Sequence, residues 1–293
     1  MSAPSAILVT GGTGQVGSAV ARIATAQGIE VWAPRRDQLD LTSPDSTRAA
    51  IARSPWRYVI NCAAYTAVDS AESDSALAFQ INAAAPAIMA AECKRCCIPM
   101  IHVSTDYVFD GSKATSYTED DIVNPIGIYG QSKQLGEAAI RAADPVHAIV
   151  RTAWIVSARA GNFLTTMLRL GSEISEMKVV ADQIGNPSSA EDIAAGLLTI
   201  AQELRQSSGT WHFVNSGEAS WHALAEYIFA ETARRGLPTP KLYPIAAVDY
   251  PTAAVRPANS RLSTEKIGRD FNIFPRPWQD AVDAILAERL GQT

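Results

Sequence analysis

These 293 residues carry no basic excess: 25 lysines and arginines stand against 30 aspartates and glutamates, a formal net charge of -5. A general nucleic-acid or membrane-surface binder needs a broad basic face to neutralise phosphates, so no nucleic-acid partner and no membrane partner is expected. Any anionic ligand must be held by local groups. Long apolar runs are missing as well, and no stretch approaches the roughly 18 apolar residues of a membrane span. Residues 1–6 lack a basic segment ahead of a long apolar one, and the run at 6–9 is too short for a signal peptide. A cytoplasmic protein is the expectation. Cysteine is scarce: Cys93, Cys96 and Cys97 crowd into the helical-looking segment 90–98, and Cys62 stands apart. A zinc site wants a second pair of ligands at matching spacing, and His102, His147, His212 and His222 supply none, so inert thiols and no metal of that kind are expected. Internal repeats and low-complexity tails are also lacking.

What is present is a chain with 47% hydrophobic and 19% charged residues, long enough to bury a large core as one big domain or two intimate ones. Through the first half, short β-branched runs alternate with longer Ala-rich amphipathic stretches, the pattern of βαβ units and a parallel sheet. Strands are expected at 6–10, 30–33, 58–61, 99–104 and 148–152, and helices at 15–27, 43–53, 74–97 and 128–141, the third entered through an irregular 68–73. The second half loses that alternation. Strand-like runs at 178–181 and 210–214 mix with helices at 190–203, 221–234 and 277–288, and Pro and Gly clusters at 236–240 and 250–257 mark loops. The fold class is α/β: a Rossmann-type doubly wound parallel sheet over 1–155, the architecture of nucleotide-binding domains, and a smaller mixed α/β substrate domain over 156–293. Segments such as 190–205 are expected to pack back on the first domain. The stripe Trp221, Leu224, Ala225, Ile228 and Phe229 reads as core or domain interface rather than ligand site.

The run Thr10-Gly11-Gly12-Thr13-Gly14-Gln15-Val16-Gly17 follows the first strand and opens the first helix, the context a dinucleotide fingerprint requires. Two spacings fit. Gly12, Gly14 and Gly17 match G-x-G-x-x-G, while Gly11, Gly14 and Gly17 match G-x-x-G-x-x-G. Either way glycine lets the backbone turn and approach a pyrophosphate, whose charge then meets the free N–H groups of the helix N-terminus. An NAD site places an acid at the end of the second strand to hold the ribose 2'-hydroxyl. Here the turn reads Ala33-Pro34-Arg35-Arg36 with no acid before Asp37, so Arg35 and Arg36 point to a 2'-phosphate and to NADPH, with NADH left open.

In Tyr129-Gly130-Gln131-Ser132-Lys133 a phenol and an ammonium stand four residues apart, on one face of a helix, so both reach one pocket. A phenol with its ordinary pKa near 10 is a poor acid at neutral pH, and a nearby cation draws that value down. Such a pair on a helix surface is common. Its place after the fourth strand and behind a glycine loop is what turns it into a proton-transfer site.

At the end of the fourth strand stands Val103-Ser104-Thr105-Asp106-Tyr107-Val108-Phe109-Asp110-Gly111. With Tyr129 and Lys133 it resembles the extended short-chain dehydrogenase/reductase family, and within it the dTDP-4-dehydrorhamnose reductases. The likeness continues through Asn61-Cys62-Ala63-Ala64-Tyr65-Thr66-Ala67-Val68-Asp69, Arg151-Thr152-Ala153-Trp154, Ala181-Asp182-Gln183-Ile184-Gly185-Asn186-Pro187 and Arg256-Pro257-Ala258-Asn259-Ser260-Arg261-Leu262. The sequence departs from the family at Tyr65, where His is frequent, and at Ile155-Val156-Ser157, where a Tyr-Gly pair often follows the Trp.

The resemblance implies that Thr105 aids Tyr129 by hydrogen bonding, that Lys133 also holds the nicotinamide ribose, and that Thr105, Asp106 and Trp154 line a sugar site. It implies cofactor contacts for Gly14, Gln15, Val16, Asp40, Leu41, Ala64, Tyr65, Thr66 and Val103. The implied activity is hydride transfer from a dihydronicotinamide to the C4 ketone of dTDP-6-deoxy-L-lyxo-4-hexulose, with Tyr129 protonating the alkoxide, to give dTDP-L-rhamnose for bacterial surface polysaccharide. Some members of the family dimerise through Mg2+ held by acids, which would make the protein a homodimer and draw on Glu191 and Asp192. An acidic pair at a helix start also favours the helix dipole by itself. Three other activities share the fold: another nucleotide-4-ketosugar reductase, a sugar-nucleotide epimerase or dehydratase, and a non-catalytic regulatory subunit of methionine adenosyltransferase type. The 4,6-dehydratases typically carry Thr-Asp-Glu where this chain has Thr105-Asp106-Tyr107, and retention of Tyr129, Lys133 and Thr105 speaks against the regulatory subunit.

Overall fold

A run such as Ile7-Leu8-Val9 is apolar on both sides of the chain, which suits a strand covered on both faces. The computed structural model, which describes residues 5–159, 161–204 and 208–291, places it there. Six strands form one wholly parallel sheet in the order Gly209–His212, His147–Thr152, Met100–Thr105, Val59–Asn61, Ile7–Thr10, Val31–Trp32. Successive side chains alternate between faces. Ile7 and Val9 join a core with Val20 and Leu197, from helices Gln15–Ala26 and Ala190–Glu203. Leu8 joins the opposite core with Ile51, Met89 and Ile140, from helices Pro44–Ala52, Ala85–Cys96 and Ile128–Ala143. The strand order reverses between Ile7–Thr10 and Val59–Asn61, and in doubly wound sheets ligands bind beyond the carboxyl ends of the strands at such a reversal.

The five strands expected in the first half are all present, with ends moved by a residue or two. The run at 210–214 was expected in the smaller domain. It instead supplies the sheet's edge strand, Gly209–His212, with Trp211 opposite Val150, because Trp211 and Phe213 project into the core that Val150 already lines. The single helix expected over 74–97 is divided into Ser75–Phe79, a π-helical turn Gln80–Ala84, and Ala85–Cys96. Pro86 has no N–H to give Asn82, four residues back, so a regular α-helical ladder cannot run through this turn. Within Ser75–Cys96 one 18-residue window reaches a mean hydropathy of 1.2, the composition of a buried core helix as much as of a membrane span. This stretch forms part of the layer packed on the sheet, with Met89, Ala90 and Cys93 fully buried.

A second core lies around Leu164, Met167, Val179, Leu224, Ile228, Trp278 and Ile285. Helices Phe163–Glu173, Trp221–Arg234 and Trp278–Leu290 enclose it with the parallel strands Glu176–Val180 and Lys241–Ile245. The stripe from Trp221 to Phe229 belongs to this core. Val108, Phe109, Tyr117, Ala153, Val214 and Leu262 form a smaller cluster at the ends of the main strands. Residue 205 and the first four residues, on which part of the expected domain packing and the absence of a leader rested, lie outside the described residues.

Candidate active site

The glycine loop is close-packed in both of its spacings. Gly11 has φ +71, and an added Cβ there would stand 2.7 Å from the backbone nitrogen of Ala63; at Gly17 it would stand 2.2 Å from the Gly11 carbonyl oxygen. Only glycine fits at both, and an added Cβ at Gly12 would in turn stand 2.8 Å from the Ala33 Cβ, so the loop is tight at Gly11, Gly12 and Gly17 alike. Gly14 donates its N–H to the Gly11 carbonyl at 2.9 Å and opens helix Gln15–Ala26, whose N-terminus has no side-chain cap among the described residues and no acid in its first turn. Those free N–H groups suit a pyrophosphate. Val16 is buried beneath the loop. Gln15 turns toward the second core: its Oε1 accepts from Ser157 Oγ at 2.6 Å and from Asn162 Nδ2 at 3.1 Å.

Beside the loop, helix Ile128–Ala143 presents Tyr129 and Lys133. Glu72 fixes its start by accepting the Ile128 N–H at 2.9 Å, a contact that no local pattern announces. Lys133 is buried, and its Nζ donates to the Val103 carbonyl at 2.7 Å and lies 3.2 Å from His102 Nε2. Burial lowers the Lys133 pKa to about 8, against the opposing pull of Glu137 and Cys62. Burial pushes the Tyr129 phenol up to about 12, with hydrogen bonding to Thr105 working the other way. In the protein by itself, then, the ammonium is engaged at Val103 and does not draw the phenol down as its i, i+4 spacing suggested. The thiols of Cys62 and Cys93 are pushed up to about 12 by burial and are inert.

Thr105 ends its strand buried, with its hydroxyl donating to Asp106 Oδ1 at 2.9 Å. Asp106 is buried too, which pushes its pKa up to about 6 against the side-chain hydrogen bonds of Ser260 and Thr105, and its Oδ2 makes no hydrogen bond of good geometry among the described residues. An unpaired buried carboxylate oxygen is costly, and a hydroxyl-rich ligand would satisfy it. Trp154 adopts φ +46, a strained conformation for a bulky residue. Its ring is stacked on Trp221 with centroids 3.5 Å apart. On Gly185 an added Cβ would stand 2.5 Å from the Trp154 ring. With Trp221 behind it, the ring has little room to give. Gly185→Ala is therefore expected to destabilise the fold by about 1–3 kcal/mol through overpacking, read as a lower melting temperature; an unchanged melting temperature would contradict this.

The remaining expected residues follow the second and third strands. Ala33, at the end of the second strand, touches Gly12, and beyond it Arg35 and Arg36 are exposed, Arg35 with a 3.3 Å contact to Asp37. Asp40 is exposed and accepts from the Thr42 N–H and hydroxyl at 2.8 and 2.6 Å; Leu41 packs on the core. Ala64, Tyr65 and Thr66 follow the third strand, where the Asn82 side chain accepts the Tyr65 N–H at 2.8 Å and donates to its carbonyl at 3.0 Å. Glu191 and Asp192 lie away from this crevice, at the start of helix Ala190–Glu203, ion-paired with Arg22 and Arg276.

Three comparisons with known proteins bear on what this geometry serves. The family model described as RmlD substrate binding domain matches residues 5–290. A dTDP-4-dehydrorhamnose reductase of Burkholderia thailandensis is 41% identical, with 98% of this chain and 99% of the relative covered. One of Sinorhizobium fredii is 40% identical, with 94% of each covered. Among solved structures, the dTDP-4-dehydrorhamnose reductase of Bacillus anthracis in complex with NADP superposes with a TM-score of 0.92 at 29% identity, covering 97% of this chain and 99% of that one. On a family match that spans nearly every residue and on relatives this similar from end to end, the chain belongs to the RmlD substrate-binding-domain family of dTDP-4-dehydrorhamnose reductases.

Proposed function

We propose that this protein reduces the C4 ketone of dTDP-6-deoxy-L-lyxo-4-hexulose (dTDP-4-dehydro-6-deoxy-L-mannose) to dTDP-L-rhamnose, with NADPH as the reductant. The observation that carries the reading is one constellation: the Tyr129 phenol, the Thr105 hydroxyl and the unpartnered Asp106 Oδ2, set at strand ends beside a glycine loop that accepts a pyrophosphate. Residues 1–155 bind the dinucleotide and residues 156–293 mainly shape the sugar site. Helix Ala190–Glu203 and strand Gly209–His212 are the exceptions, since they complete the sheet domain.

A bound dihydronicotinamide supplies the hydride; Gly11, Gly14, Gly17 and the N-terminus of the first helix hold its pyrophosphate, and Tyr129 and Lys133 hold its ribose. Tyr129 gives its phenolic proton to the oxygen of the reduced carbonyl, as a general acid. Thr105 orients that phenol by hydrogen bonding, and Lys133 steadies the negative charge the phenol acquires. Asp106 takes a sugar hydroxyl on Oδ2, and Trp154 packs against the ring. No carboxylate occupies the position a dehydration acid would need: Tyr107 stands there, edge-on to Tyr129 with ring centroids 5.5 Å apart. The test is loss of NADPH absorbance with the 4-ketosugar generated in situ. Turnover to dTDP-L-rhamnose supports the proposal, and NADPH binding without turnover of that ketosugar overturns it.

Cofactor choice follows from Arg35 and Arg36, exposed at the mouth of the crevice and free to turn onto a 2'-phosphate. Hydrogen bonds to a charged group contribute about 1.5–3 kcal/mol. Replacing both by alanine is expected to lower the NADPH-to-NADH ratio of kcat/KM by at least about tenfold, and an unchanged ratio would remove them from the 2'-phosphate site.

A further inference from the structure

Strand register sets Thr10, Asn61 and His102 side by side across three neighbouring strands, all buried. The hydrogen-bond directions in this row are forced. Asn61 Oδ1 accepts the Thr10 hydroxyl at 2.5 Å and the Ala63 backbone N–H at 3.2 Å. A backbone N–H can only donate, so that atom is the amide oxygen, and the Asn61 amide nitrogen faces His102 Nδ1 at 2.9 Å. The amide nitrogen can only donate as well, so Nδ1 accepts. A neutral imidazole has a single N–H, which is then on Nε2, 3.2 Å from Lys133 Nζ. An ammonium offers nothing but donors to that N–H, whereas an amine offers a lone pair.

We propose that His102 is a positioning residue for Lys133: its Nε2–H stabilises the amine of Lys133 relative to the ammonium and so keeps the lysine's proton transferable. This rests on the reading of Lys133 as part of the catalytic machinery. The other groups facing the lysine divide in sign. Glu137, one helical turn on, and Cys62 favour the ammonium, and burial disfavours it. The Val103 carbonyl accepts from either form. His102 stays neutral because burial, then the charge of Lys133, then His147 hold its pKa well below the ordinary imidazole value. A lysine locked as ammonium would steady Tyr129 but would not exchange its proton within a turnover. One balanced near neutral pH does both.

The first test needs no substrate and no variant: the 15N spectrum of histidine-labelled, cofactor-free protein reports the tautomer of His102. The Nε2–H form is the expected result, and the Nδ1–H form overturns the proposal. The second follows Lys133 with a lysine-selective 13C label in wild type and in His102→Asn. Asn retains an acceptor for Asn61 where Nδ1 stood and removes the Nε2–H. The midpoint of Lys133 is expected to rise by about one pH unit, the scale of one hydrogen bond of net value about 1 kcal/mol, and the alkaline limb of kcat/KM to rise with it. An unmoved midpoint with a uniformly lower kcat would mean a merely structural histidine. Because tautomer and midpoint are read without turnover, failure of the catalytic reading would alter only the kinetic arm.

Discussion

Replacing Tyr129 by phenylalanine is expected to lower kcat by about 10²–10⁴-fold, the usual contribution of a positioned general acid, while NADPH still binds and the melting temperature hardly moves. The fold tolerates the change because the ring, not the hydroxyl, packs against Tyr107. Chemistry does not. Thr105 is the neighbouring hydroxyl, but its proton is directed at Asp106 Oδ1 and its oxygen accepts the Tyr107 N–H at 3.2 Å, so it cannot replace the phenol as acid. The pH dependence of the wild type follows from the two shifts. Burial holds the phenol up at about 12, so in the protein alone it keeps its proton across the neutral range, whereas Lys133, lowered to about 8, is the first of the pair to lose one. Reduction takes one proton, given by Tyr129 while the Lys133 ammonium steadies the phenolate left behind, so activity is level from about 6, where Asp106 titrates, to about 8 and falls above it. A loss of less than tenfold in Tyr129→Phe, measured as steady-state NADPH oxidation with saturating ketosugar, would assign the proton to another group.

Much of this site is legible in the sequence because its signals are local. A strand, a glycine loop and a helix lie within one short segment, and Tyr129 and Lys133 share one face of one helix by spacing alone. Even so, what makes glycine necessary at Gly11 and Gly12 is the approach of Ala63 and Ala33, residues beyond two other strands. What the sequence hides is set by pairing. His102 faces Asn61 only because of register between strands 41 residues apart. Nothing near either residue marks this polar row within the sheet. Strand Gly209–His212 was misplaced for a related reason: its alternation of large side chains suits either core, and only the main sheet offers it an open edge beside His147–Thr152. The left-handed backbone of Trp154 is likewise a product of tertiary packing between Gly185 and Trp221, where intrinsic preference argues against it.

Glu137→Gln is the change expected to destabilise most, by about 3–5 kcal/mol, because it leaves a buried arginine without its counter-charge. Glu137 is fully buried one turn beyond Lys133. Its Oε1 accepts from Arg151 Nε at 2.9 Å and from Ser104 Oγ at 2.6 Å, and its Oε2 accepts from Arg151 Nη2 at 2.7 Å and Arg141 Nη2 at 2.8 Å. Burial pushes its pKa up, but the hydrogen bonds and charge of Arg151, then Ser104 and Arg141, outweigh burial and hold it at about 2. The sign of the pH effect follows. The native pKa lies below the unfolded value of about 4.3, so the stabilisation is complete above that value and is lost as pH falls toward about 2. Wild type and variant should therefore differ in melting temperature by on the order of 10 °C at neutral pH. Below about pH 4 the two should converge. A difference that persists unchanged into acid would mean that packing, not the carboxylate's charge, is what Glu137 contributes. The same substitution reaches the active site, since Glu137 is the anion that favours the Lys133 ammonium. Its loss should move the alkaline limb of kcat/KM to lower pH, opposite to the shift expected from His102→Asn. Two substitutions on either side of one lysine, moving one limb in opposite directions, are hard to explain by general loosening of the fold, which would lower the plateau and leave the limb in place.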